Sequence, residues 1–165
     1  MDTQTDFLQL MSVIADVESG GNDAAMRFEP GTFARWQDAI QKMAPVKNDI
    51  LGVIARVHNC DDATAAMIAA TSWGRFQIMG FNLYAQGSPV AGYRVCDFLA
   101  HGSLQTLAFR DFLDRNHLPA AYSAVFRDHV SLLDFAQRYN GPGDFQAYAA
   151  AMMRAAQRLG YAHAD

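Results

Sequence analysis

The sequence predicts a mainly α fold with one short β-hairpin or irregular segment, and three observations predict it. Apolar residues recur three and four positions apart in roughly seven or eight stretches, each bounded by glycine, proline or a short polar residue. Alanine is abundant and β-branched residues are scattered, which favours helix over sheet. Only "SWGRFQIMGFN", residues 72–82, combines alternation with glycines and so breaks the helical rhythm. The 165 residues suffice for one domain with a sizeable core, so residues 1–165 are expected to form a single domain.

In chain order, residues 5–18 place Phe7, Leu10, Met11, Ile14 and Val17 on one helical face, and Gly20–Gly21 stop that helix. Residues 19–31 read as irregular. Thr32 is expected to cap a helix running through Met43 and closed by Pro45. Residues 48–58 follow with Ile50, Leu51, Ile54 and Val57 in register. Asp61–Asp62 precede "ATAAMIAAT", a small-residue helix expected to be buried on nearly all sides. Ser88–Pro89 read as the cap and first turn of a helix ended by Gly102, and Ser103 opens "LQTLAFRDFLDRN". Residues 131–139 and 144–159 complete the set, joined by "YNGPGD", a turn by composition.

Composition excludes several functions. Net charge is −4 and the basic residues form no run, which disfavours nucleic acid as a partner. No stretch of ~18 apolar residues exists, so stable membrane insertion is not expected. The N-terminus lacks the basic and apolar regions of a signal peptide, which suggests synthesis in the cytoplasm. Cys60 and Cys96 form no CxxC and read as reduced thiols. The histidines at 58, 101, 117, 129 and 163 show no metal-ligand spacing, so neither a metal nor a cofactor is expected.

Glu18 is the anomaly. Counting back from it, Ile14, Met11 and Phe7 fall on the same stripe, so a carboxylate stands on the apolar face of a helix that then stops. An apolar setting and a helix C-terminus both favour the protonated form, as a general acid requires. Of 17 acidic residues only Glu18 and Glu29 are glutamate, and both flank the Gly20–Gly21 turn. Cleavage of a glycosidic bond commonly needs one protonated carboxyl group. Trp73, Phe76, Phe81, Tyr84, Tyr139 and Tyr148 are the aromatic candidates for stacking on sugar, each an equally good core residue.

Four ordered segments carry a resemblance: "VESGG" (17–21), "FEPGTF" (28–33), "SWGRFQIMGFN" (72–82) and "FAQRYNGPG" (135–143). Together they resemble the phage-endolysin N-acetylmuramidase family, itself similar to goose-type lysozymes and soluble lytic transglycosylases. The resemblance spans nearly the whole chain and implies a lysozyme-like fold. It also implies cleavage of peptidoglycan glycan between N-acetylmuramic acid and N-acetylglucosamine. By the same resemblance Glu18 matches the catalytic acid, while Ser72, Trp73 and Gln77 belong to the cleft-wall motif and Tyr139 and Asn140 to the segment facing the acid. The family often has Arg-His after the second glutamate, where this chain has Pro30-Gly31.

The second step stays open at this point. Glu29 can activate water, stabilise positive charge, or serve as a structural acid paired with Arg27 or Arg35; Asp23 is a weaker candidate. A lytic transglycosylase giving anhydro products is the alternative enzyme, and a glycan-binding or structural module of a phage or secretion apparatus the non-enzymatic one. Asn140 before Gly141 is a turn residue first and a ligand contact second. The implied partner is the peptidoglycan glycan strand, met by a monomer after holin-type release or delivery by a phage or secretion apparatus.

Overall fold

The computed structural model describes residues 3–42 and 45–161. Thirteen elements follow in order: α1 (Thr3–Ser19), β1 (Met26–Phe28), α2 (Pro30–Gln41), α3 (Pro45–His58), α4 (Asp62–Ala69), β2 (Thr71–Trp73), β3 (Ile78–Met79), α5 (Gly80–Leu83), α6 (Val95–Ala100), α7 (Gly102–Arg115), α8 (Tyr122–Val125), α9 (His129–Asn140) and α10 (Phe145–Arg158). The mainly α expectation with a short hairpin is met. The chain divides into two compact units, one made of the chain up to Gly21 and from Phe112 onward, the other of Asn22–Asp111.

The first unit is a helix cluster built on the apolar stripe of α1. Leu10 and Ile14 are fully buried, and so are Phe135 from α9 and Met152 from α10. Each such side chain contributes about 1.5–3 kcal/mol by leaving water. Helix α10 packs against both α1 and α9, and α8 against α1. Asp6 adds a polar tie across 117 positions. Its buried carboxylate accepts from the Ser123 N–H and hydroxyl, capping α8, whose own cap residue Ala121 supplies no side-chain bond. Arg138 caps a helix from the other end by donating to the Asn116 carbonyl at 2.8 Å and to the His117 carbonyl, both just past α7.

The second unit sets helices around a three-stranded antiparallel sheet of order β1-β2-β3. Met26 pairs with Trp73 and Phe28 with Thr71; Ser72 pairs with Met79. Helix α4 packs on α2, α3 and α5. Ala65, Ala66 and Ala69 are buried at those contacts, but Met67 is half exposed, so this helix is covered on one face rather than on nearly all sides. Gly80 marks the tightest approach. A Cβ there would run into the Ile68 carbonyl in the last turn of α4.

Several boundaries differ from the sequence reading. Helix α2 begins at Pro30 with Glu29 in the cap position; Thr32 lies inside its first turn and accepts from Arg35. Pro fits the first helical position because its missing N–H has no helical partner there. The Met43 end of that prediction lies outside the described residues. Ser88–Pro89 form turns, and the helix starts only at Val95. The one-turn helices α5 and α8, and strand β1 within the stretch read as irregular, were not foreseen. Cys60 and Cys96 are free thiols. No helix among the described residues is long and apolar enough to cross a membrane.

Candidate active site

Glu18 occupies the last turn of α1, one residue before that helix ends at Ser19. The backbone then leaves through Gly20 and Gly21, both at positive φ (63° and 78°), where a Cβ would strain the chain. The carboxyl group is half-buried rather than enclosed, and it has a partner. The Tyr148 hydroxyl donates to Glu18 Oε1 at 2.6 Å. Tyr148 comes from the buried face of α10, positioned by Asp144, whose carboxylate accepts from the Ala147 N–H at the helix start.

Tyr139, from the last turn of α9, lies parallel to Tyr148 with ring centroids 5.9 Å apart. Phe135 also stacks on Tyr139, at 5.5 Å, and Phe112 meets Tyr139 edge-on at 5.4 Å. Burial pushes the Tyr139 phenol well above its ordinary range, and the Glu18 charge adds to it. Burial does the same for Tyr148, followed by Tyr139 and the charge and hydrogen bond of Glu18. The raised phenol keeps Tyr148 a donor to Glu18 around neutral pH. Asn140, the last residue of α9, is exposed, and Gly141 at φ 89° turns the chain.

Glu18, Tyr139 and Tyr148 thus come together in the first unit. Glu29, Ser72, Trp73 and Gln77 belong to the second. Glu29 follows β1, and its backbone N–H donates to the Ala70 carbonyl at 2.9 Å. It holds the cap position of α2 without a side-chain cap bond; instead Oε1 pairs with Arg27 Nε at 2.6 Å. Asp23 forms an ion pair with Arg75.

The hairpin residues are less available for ligand than their motif suggests. Ser72 is 1% exposed and donates its hydroxyl to the Met79 sulfur. Trp73 is buried and donates Nε1 to the Ile68 carbonyl at 3.1 Å. Gln77 sits at φ 47°, unusual for a side-chain-bearing residue, and its amide donates to the Gly74 carbonyl at 2.9 Å. Phe76 and Tyr84 are core residues.

Sequence reasoning missed two residues here. Tyr148 was only one aromatic among several, although a tyrosine on the apolar face of α10 needs a hydroxyl partner as much as Glu18 needs a donor. Gln105 was not singled out. It is fully buried, accepts from the Arg75 N–H at 2.8 Å and donates to the carbonyls of Asp23 at 3.0 Å and Leu99 at 3.3 Å. Gly74 at φ 74° lies against it so closely that a Cβ would run into Gln105 Oε1.

Comparison with known proteins identifies the family. The family model described as N-acetylmuramidase matches residues 53–160. An endolysin of Enterobacteria phage PRD1 is 35% identical over 152 residues, covering 92% of this chain and 96% of its own. No solved structure matches. The family match begins beyond Glu18 and Glu29, so their roles rest on geometry and chemistry.

Proposed function

The chain belongs to the N-acetylmuramidase family of phage endolysins, and from that premise we propose that Glu18 is the general acid of a peptidoglycan-degrading muramidase. In this reading it cleaves between N-acetylmuramic acid and N-acetylglucosamine. The observation that carries the proposal is the Tyr148–Glu18 hydrogen bond. It fixes the rotamer of a half-buried carboxyl group whose outward side remains approachable. Glu18 passes its proton to the departing glycosidic oxygen, and Tyr148 holds the resulting carboxylate in place. Water completes hydrolysis, with Glu29 as the second carboxylate of the scheme. Gln77 presents the hairpin turn to substrate, while Ser72 and Trp73 hold the hairpin rather than touch sugar. Asn140 lies at the exposed edge of the same segment as Tyr139. Action as a monomer on glycan strands, reached by holin-type release or by phage or secretion delivery, belongs to the same proposal.

A specific observation favours a second reading. The Arg27 ion pair occupies one oxygen of Glu29, and Arg75 pairs with Asp23. A site with one working carboxyl group can use the substrate's acetamido oxygen to attack C1 as Glu18 protonates the leaving oxygen; the muramic acid 6-hydroxyl then displaces the acetamido oxygen from C1 and returns a proton to the Glu18 carboxylate, which closes an anhydro ring as in a lytic transglycosylase. Mass spectrometry of digested sacculi separates the two. We expect reducing products without an anhydro form, and a loss of about 10²–10⁴-fold for Glu18→Gln. Clearing by Glu18→Gln within a few-fold of wild type would remove Glu18 from the chemistry. Glu29→Gln should lose activity by a comparable factor if it activates water. If it is structural, it should lose under ~1 kcal/mol of stability, as a largely exposed ion pair does, and keep its turnover; anhydro products from that active variant would establish the second reading.

A further inference from the structure

The second unit holds a cavity that none of the residues assigned to the reaction lines. Tyr93, Asp97, His101, Ser103 and Leu104 line an open hollow of about 360 Å³, near the lower end of the roughly 300–1,000 Å³ typical of small-ligand sites. Tyr93 is 46% exposed, yet its backbone is firmly anchored. The buried Tyr84 hydroxyl donates to the Tyr93 carbonyl at 2.8 Å, and His58 Nε2 donates to the Tyr84 oxygen at 2.7 Å. The next residue, Arg94, donates to the Val57 carbonyl at 3.2 Å. An aromatic ring is thereby held outward on a rigid mount.

The polar lining is equally defined. His101 Nδ1 donates to the Asp97 carbonyl at 2.8 Å, which leaves Nε2 as the ring nitrogen that can meet a ligand. The His101 carbonyl accepts from the Leu104 N–H at 2.9 Å, fixing the junction of α6 and α7. Among the described residues, neither the Asp97 carboxylate nor the Ser103 hydroxyl has a hydrogen-bond partner in the protein. The lining therefore offers the Asp97 carboxylate and His101 Nε2, two hydroxyls that both donate and accept (Tyr93 and Ser103), an exposed ring and an aliphatic floor. Asp97 repels anions. Hydroxyl donors spread around a ring, with an apolar C–H face to lay on Tyr93, match this set.

We propose that this cavity is an ancillary glycan-binding site that takes a neutral pyranose ring of the cell-wall strand. The choice of ligand rests on the muramidase reading; the geometry of the cavity does not. Gripping a sugar here tethers the enzyme to insoluble glycan independently of the bond being cut.

The test uses full-length protein carrying Glu18→Gln, so that sacculi stay intact, with and without Tyr93→Ala or Asp97→Asn, and measures the fraction sedimenting with sacculi. Each added substitution should weaken binding about tenfold, the loss of one charge-assisted contact or one stacking face, without lowering the melting temperature. Tyr93→Phe, which keeps the ring, should bind within a few-fold of its parent. In the Glu18 background of the wild type, Tyr93→Ala should keep its kcat on a short soluble glycan. Sacculi whose free amines have been acetylated should bind equally well; loss of binding there would assign the cavity to an ammonium group of the stem peptide and overturn the proposal. Unchanged sedimentation of both folded variants would overturn it too. Should Tyr93→Ala fail to fold, the exposed Asp97→Asn carries the measurement. Residual lysis by Glu18→Gln is scored separately, and concerns the acid rather than this cavity.

Discussion

At the residue scale, the site turns on two polar groups placed where apolar ones are expected. Glu18 ends the apolar stripe of α1 and Tyr148 lies on the buried face of α10; each is costly alone and satisfied by the other. Tyr148→Phe keeps the packing with Tyr139 and removes only the donor. It should lower kcat about ten- to a hundredfold, the worth of one hydrogen bond to a charged group, and leave KM nearly unchanged. Steady-state kinetics on a soluble glycan checks this, and a rise in KM with kcat intact would instead make Tyr148 a substrate contact. Glu18 itself was legible from helical periodicity, because the anomaly is local. Its partner was not, since a contact spanning 130 positions leaves no trace in spacing. Ser72 and Trp73 show the converse limit. Their motif was visible, but motif alone does not distinguish a residue that holds a hairpin from one that touches ligand.

At the element scale, the long helices could be read because their apolar positions repeat over several turns, as in α1, α3, α9 and α10. The one-turn helices α5 and α8 are too short for any period to register, and they form where tertiary contacts impose them. Asp6 capping α8 from α1 is one such contact. Gly80, at the start of α5, is another. With the Ile68 carbonyl in the way of a Cβ, Gly80→Ala should cost about 2–3 kcal/mol by overpacking. Gly52 provides the contrast within the same unit. It lies inside α3 with nothing near a Cβ, so Gly52→Ala should stabilise by about 0.5–1 kcal/mol. Urea unfolding of both variants checks the pair, and equal effects would contradict the packing described for α4 and α5.

At the scale of the whole molecule, pH dependence of stability follows from His58. Burial holds its ring below the ordinary 6.5, with Arg94 adding to the effect and Asp97 opposing it. The unfolded chain takes up the proton first as pH falls, so the His58 contribution is complete above 6.5 and is lost progressively below it, down to the depressed folded value. The melting temperature should fall on going from about pH 7 to about pH 5, and His58→Asn should flatten that slope; an unchanged slope would place the titration elsewhere. The first unit carries a consequence of a different kind, in the order of biosynthesis. Its helix α1 leaves the ribosome early, whereas Tyr148 emerges 130 residues later, roughly 7–26 s afterwards at ~5–20 residues per second. A stalled or truncated chain therefore carries the acid without the phenol that orients it and without the α9 and α10 faces that bury α1. Under the muramidase reading, the acid is oriented only once the last long helix has been made.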